Sequence, residues 1–147
     1  MTSSAVASPN ARQAGSSSGA RYLLDTCTFL WMLAREELLG AQARRIVVDP
    51  TSDLLLSAAS AWEIAIKVGL GKLDLGEPAA SYVPARMESQ GIEALAVVHA
   101  HALATGELPP HHRDPFDRLL VAQARLDKLV IVSPDPAFAP YDVAVVW

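Results

Sequence analysis

The sequence predicts an α/β domain of three layers, with a central parallel sheet of about five short strands flanked by helices. Three observations lead there. From Arg21 onward, short apolar runs alternate with stretches of helical periodicity. The runs lack a polar alternate face, as do strands of a parallel sheet covered on both sides. The chain has 147 residues, of which 51% are apolar and 19% charged, and this suits one domain with one real core rather than a disordered chain.

In chain order, residues 1–19 are rich in Ser, Ala and Gly, with no acid and no apolar period. They read as a flexible tail, ahead of an organellar transit peptide, for which Arg12 is thin support. The folded domain is expected over residues 20–147. Strands are expected at 22–24, 53–56, 94–97, 129–132 and 143–146, each short and several β-branched. Helical patterns fall between them, at 29–34, 41–48, 59–68, 79–89, 99–105 and 115–127. Strand–helix alternation of this kind implies right-handed crossovers over a parallel sheet. Residues 106–113 read as a loop, with Pro109 and Pro110 ahead of His111 and His112.

Composition narrows the function. Sixteen acids against twelve Lys plus Arg give a net charge of −4, which argues against gripping duplex nucleic acid through a broad basic face. An enzyme that concentrates carboxylates around a cation remains open, because the bound ion inverts the local sign. The single cysteine, Cys27, excludes an internal disulfide framework and a cysteine-based zinc cage. A reducing, cytoplasmic setting is expected. No apolar run is long enough to span a membrane, and the N-terminus lacks the apolar core of a secretory signal.

In open α/β sheets, ligands bind outside the carboxyl ends of the strands, so the acids near those ends matter most. Asp25 follows the first expected strand and Asp135 the fourth. Asp114 and Asp117 open the long helix before the fourth strand, and Glu63 lies within the helix after the second. Singly, Asp25, Asp114 and Asp135 read as helix caps, the last two with Pro at the first helical position, and Asp117 as an acid favourable to the helix dipole. Glu63 reads as an i,i+4 partner of Lys67, worth about 0.2–0.5 kcal/mol. Jointly, five carboxylates on one rim repel one another unless a cation sits among them. All-oxygen ligation suits Mg²⁺ or Mn²⁺, and metal-dependent phosphodiester hydrolysis is the chemistry such a site performs.

Three stretches carry a resemblance: Tyr22-Leu-Leu-Asp25-Thr-Cys-Thr-Phe-Leu-Trp31, Leu56-Ser57-Ala-Ala-Ser-Ala-Trp-Glu63-Ile-Ala-Ile-Lys67 and His112-Arg-Asp114-Pro-Phe-Asp117-Arg-Leu-Leu-Val-Ala-Gln-Ala124. Together they resemble PIN-domain ribonucleases, in the branch of the VapC-type toxins of toxin–antitoxin pairs, over residues 21–147. The resemblance implies a PIN-like fold and an RNase dependent on Mg²⁺ or Mn²⁺. It further implies an RNA substrate, restraint by a small cognate antitoxin, and a homodimer. The family's first metal-binding acid falls on Asp25, its helical glutamate on Glu63 and its helix-opening aspartate on Asp117, with Asp114 and Asp135 matching further acids. Two departures stand out: Cys27 occupies a position where this branch often carries histidine, and Ser133-Pro134-Asp135 replaces Thr, a basic residue and Asp. Pro134 removes a backbone N–H and a cation there.

Trp31, Trp62 and Phe116 are expected in the core, at helical spacing beside Leu, Ile and Ala, rather than stacked on RNA bases. His111 and His112 read as solvated loop residues. Lys67, Lys72, Arg113 and Arg118 are candidate phosphate contacts. Cys27 has no histidine–acid arrangement that would make it a nucleophile. A receiver domain, a haloacid-dehalogenase-like phosphatase and a dinucleotide-binding fold each lack a required residue near Asp25 or at the chain's end. The remaining alternative is a catalytically weak PIN-like module that binds RNA or a partner.

Overall fold

Apolar side chains on both faces of the same strand require cover on both faces of the sheet, and the computed structural model, which describes residues 19–147, has that architecture. The expected tail over residues 1–19 lies outside the described residues, Gly19 apart. Five strands, β1 (Arg21–Leu24), β2 (Asp53–Ser57), β3 (Glu93–Leu95), β4 (Val130–Val132) and β5 (Ala144–Val146), pair in parallel in the order β3-β2-β1-β4-β5. Six helices connect or flank them: α1 (Thr26–Ala34), α2 (Ala41–Val48), α3 (Ala58–Gly69), α4 (Ala79–Gln90), α5 (His99–Ala104) and α6 (Pro115–Asp127).

Successive side chains of a strand point to opposite faces, and the two cores divide on that rule. Leu24, Leu54, Leu56 and Val132 pack with Phe29 of α1, Val47 of α2, Ile64 of α3 and Tyr82 of α4. Leu23, Leu55 and Ile131 pack on the other face with Leu120, Val121 and Ala124 of α6 and with Phe138. Each of the seven strand residues is at most 2% exposed, a burial worth about 1.5–3 kcal/mol per large apolar side chain.

The strand order reverses at β1, which lies between β2 and β4. Open α/β sheets bind ligands at such a reversal, beyond the carboxyl ends of the strands, here the ends at Leu24 and Val132. Thr28 Oγ1 of α1 donates to Val132 O (2.9 Å) and ties the two ends together.

Element boundaries shift for local reasons. The first helix begins at Thr26, ahead of the expected Phe29, because Asp25 caps it by accepting the Thr28 N–H (2.8 Å). β3 stops at Leu95, short of Val97, and Ala96 O accepts instead from Gln123 Nε2 (3.1 Å). The last expected turn of α5 tightens into a 3₁₀ turn, Thr105–Glu107. Among the described residues, no helix is long and apolar enough to cross a membrane.

Trp147 closes the sheet onto α2. Its carbonyl oxygen accepts from Gln42 N (3.0 Å) and Ala43 N (3.2 Å), satisfying donors at the helix N-terminus. Its ring meets Trp31 edge-on at 6.0 Å. A β-carbon on Gly40 would lie 2.5 Å from Trp147 O and 2.6 Å from its ring. Gly40→Ala is therefore expected to destabilise the fold by about 1–3 kcal/mol, the cost of overpacking. A thermal melt should show a midpoint lowered by several degrees, and an unchanged midpoint would mean that this contact opens at little cost.

Candidate functional site

Four elements deliver acids to one cleft of about 310 Å³ at the reversal point. Asp25 arrives after β1, Glu63 from within α3, Asp117 in the first turn of α6 and Asp135 after β4, and all four line it. Helices after parallel strands start at the carboxyl edge; acids cap α1, α6 and the 3₁₀ turn Pro136–Phe138 there, whereas α3 is capped by Ser57 and brings Glu63 from its interior. Asp25 Oδ1 takes the Thr28 N–H, Asp114 Oδ1 the Phe116 N–H (2.9 Å) and Asp135 Oδ1 the Ala137 N–H (2.9 Å). Capping and convergence are thus both realised, because each cap leaves one carboxylate oxygen free of it. Asp114 stands outside the lining and acts on the cleft through its charge.

The acids are held differently. Asp25 is 5% exposed and also accepts from the Cys27 thiol at 3.4 and 3.6 Å. Glu63 Oε1 accepts from Thr26 Oγ1 (2.6 Å), and its Oε2 pairs with Lys67 Nζ (2.9 Å). The expected i,i+4 pair is therefore formed, and Glu63 holds the Lys67 ammonium above its ordinary range. Asp117 carries the strain of the arrangement. Burial first, then the Asp114 charge, push its carboxyl up to about 7; Glu63 and Asp25 add to the rise, and His112 opposes it. Burial and the neighbouring Asp25 also push the Cys27 thiol up to about 12. A thiol held protonated is no nucleophile, in line with the sequence reading.

Three expectations need correction. His112, read as a solvated loop residue, has a side chain only 17% exposed, with Nε2 at 2.8 Å from Asp117 Oδ2 and 3.8 Å from Asp135 Oδ2. Nε2 is buried, and although it is close to Asp117 it closes no well-aligned hydrogen bond. Arg118, read as a phosphate contact, turns into its own loop and donates to Thr105 O (2.7 Å), Pro109 O and His112 O (both 3.2 Å). Trp62, expected in the core, is 59% exposed and meets the half-buried Phe116 edge-on at 5.2 Å. Trp31 does pack against the core. Lys67 and Lys72 line the cleft, whereas Arg113 is exposed beside Asp114 and does not.

Ligand atoms of His112, Asp117 and Asp135 lie within 4.8 Å of one another, close enough for one cation to bridge. Sequence reasoning missed Thr26, which lines this cleft, and His112, which stands against two of its acids, Asp117 and Asp135. The signal for His112 was its place two residues before the capping Asp114, and for Thr26 its place directly after Asp25.

The PIN domain family profile matches residues 22–144. A curated relative, Ribonuclease VapC16 of Mycobacterium tuberculosis (strain ATCC 25618 / H37Rv), is 58% identical over 60 residues, 41% of this chain and 43% of that protein. The aligned region thus spans less than half of that relative's length. Among solved structures, VapBC2 from Rickettsia felis, bound to a DNA fragment from its promoter, superposes with a TM-score of 0.64 at 13% identity. That superposition covers 85% of this chain and 96% of the other. A toxin–antitoxin complex from Klebsiella pneumoniae gives 0.57 at 16% identity, covering 88% and 97%. At such identities these two structures speak for the fold.

Two outcomes follow from the geometry. Asp117 binds protons more readily in the folded than in the unfolded chain, so its contribution to stability is largest near pH 4 and is lost as pH rises toward 7. Melts of the metal-free protein against Asp117→Asn should show the variant gaining relative stability between pH 4 and 7, and a constant difference would contradict the crowding. Arg118→Met keeps the apolar stem but strands several carbonyls, which should cost about 1–3 kcal/mol. A lowered melting midpoint would place Arg118 in the fold, whereas a pure loss of RNA affinity would restore the phosphate reading.

Proposed function

Since the chain belongs to the PIN-domain family, we propose that it is a divalent-metal-dependent endoribonuclease acting as the toxin of a toxin–antitoxin pair. The observation that carries this reading is the convergence of Asp25, Glu63, Asp117 and Asp135 from four elements on one cleft. The VapC16 relative, a ribonuclease by name, supports the RNA substrate.

The residues fit a hard cation. Every carboxylate in the cleft offers oxygen, the donor that Mg²⁺ and Mn²⁺ prefer, and the Asp117 carboxyl is raised first by burial and then by the charges of Asp114, Glu63 and Asp25. Asp25, Asp117 and Glu63 would hold the ion, with Asp114 adding charge beside them. Such an ion supplies polarisation of a phosphodiester oxygen and a water of lowered pKa.

The chain's own groups do the rest. Asp25 is fixed by its bond to the Thr28 N–H and Glu63 by Thr26 and Lys67, so both carboxylates meet a ligand already oriented. Their remaining lone pairs stay open. Asp135 lines the cleft beside Asp117, where it can accept a proton from an attacking water. Lys67 and Lys72 at the rim offset the repulsion between acids and an RNA backbone. The exposed ring of Trp62 offers a stacking face worth about 1–3 kcal/mol per base.

Trp62, Ile66 and Leu70 recur four residues apart and are 59%, 37% and 64% exposed, an apolar stripe beside the cleft that suits a helix of a small antitoxin. A basic side chain from such a partner could pair with Asp25 or Asp117 in place of the cation. The toxin–antitoxin complex of similar fold supports a partner of this kind. A homodimer and a cytoplasmic setting beside its RNA substrate complete the reading.

The test separates capping from catalysis. Asparagine caps helices about as well as aspartate, so Asp25→Asn and Asp117→Asn should fold normally, as should Glu63→Gln. Each should lose Mg²⁺- or Mn²⁺-dependent RNA cleavage by at least the roughly 10–100-fold that loss of an outer partner costs a metal site. Near-normal cleavage by Asp117→Asn would overturn the site.

A further inference from the structure

The position of His112 inside the acidic cleft has two chemical readings, and its second ring nitrogen decides between them. By spacing alone, Nε2 could join Asp117 and Asp135 around a cation. A metal-bound imidazole, however, donates its other N–H to an acceptor. Here Nδ1 faces a donor: the Asp114 backbone N–H reaches it at 3.3 Å. Nδ1 therefore keeps its lone pair, and in the neutral ring the proton resides on Nε2.

We propose that His112 is a positioning residue of this site rather than a ligand, presenting a proton on Nε2 to the carboxylates of Asp117 and Asp135. The proposal rests on the metal-nuclease reading above. Nε2 is 2.8 Å from Asp117 Oδ2, and the χ2 torsion of an aspartate is soft, so the carboxylate can turn to meet the proton. Holding Oδ2 leaves Oδ1 for the cation. Asp135 is restrained likewise: its Oδ1 takes the Ala137 N–H, its own N–H donates to Ser133 Oγ (3.0 Å), and its Oδ2 faces His112.

The surroundings keep the ring there. The His112 N–H donates to Tyr141 Oη (2.9 Å), that hydroxyl donates to Pro109 O (3.2 Å), and Arg118 donates to His112 O. The ring also meets the fully buried Phe138 in an edge-to-face arrangement at 6.2 Å. Arg118 and Tyr141 thus hold the loop, and the loop holds the imidazole over the two acids.

The experiment uses the full chain and Mn²⁺ alone, with binding followed by electron paramagnetic resonance and the bound ion examined by pulsed methods sensitive to ligand nitrogen. The parent should bind Mn²⁺ without the coupling of a directly bound nitrogen. His112→Ala should bind about 10-fold more weakly or worse, and His112→Gln, which restores an N–H donor, should recover most of that affinity. Strong nitrogen coupling in the parent would make His112 a ligand and overturn the proposal. Unchanged affinity in His112→Ala, or no recovery in His112→Gln, would overturn it as well. If His112→Ala does not fold, the parent's spectrum and His112→Gln still decide. A parent that binds no Mn²⁺, or an Asp117→Asn that binds it as well as the parent, would fell the metal-nuclease reading too. Binding that is lost in Asp117→Asn but intact in His112→Ala would fell this proposal alone.

Discussion

Negative charge converging on the carboxyl ends of β1 and β4 is the constraint to which the rest of the molecule answers. A parallel sheet places the starts of its helices at that edge, and a helix start favours an acid, both as a cap and against the dipole. Local folding rules thus concentrate carboxylates where the strand order reverses. The repulsion is contained by Lys67 on Glu63, by backbone N–H groups on Asp25, Asp114 and Asp135, and by the imidazole of His112 beside Asp117. Asp117 is buried as well as crowded, and burial first, then the Asp114 charge, displaces its carboxyl upward.

The loop before α6 is the second necessity. It carries His112 and two consecutive prolines and has little apolar content of its own, yet it must be rigid to serve the cleft. Arg118 supplies the rigidity by gathering carbonyls from Thr105, Pro109 and His112, and Tyr141 by joining His112 N to Pro109 O. One residue after the acid that the site depends on, the chain invests a cation in its own backbone.

Much of this was legible from the residues. Leu54–Leu56 and Val130–Val132 have no polar face, which dictates a two-sided sheet, and Asp114-Pro115-Phe116-Asp117 announces a helix start at the edge where a site should form. What escaped were features set by neighbours distant in sequence. Trp62 reads as core by spacing, but α3 turns that face outward against Phe116. Arg118 beside an acid reads as a phosphate ligand until the loop from Thr105 to His112 folds over it. His112 looks solvated in a proline-bounded loop, and only the packing of Phe138 and Asp135, more than twenty positions later, encloses it. The cap of α1 was legible in Asp25, although the apolar run alone starts the helix at Phe29, past Thr26 and Thr28, which are poor helix formers.

The pairing of β1 with β4 sets when, during synthesis, the cleft comes into being. Thr28 is 104 residues upstream of Val132, whose carbonyl it binds, and Asp135 follows that strand. Translation at about 5–20 residues per second leaves the first acid waiting for its counterpart until almost the whole domain has emerged. Until then β1 has β2 on one side and an unpaired ladder on the other, so the nascent chain lacks a wall of its cleft. Topology thus defers assembly of the acidic centre to the last strands of the domain, a delay written into the strand order rather than into any one side chain.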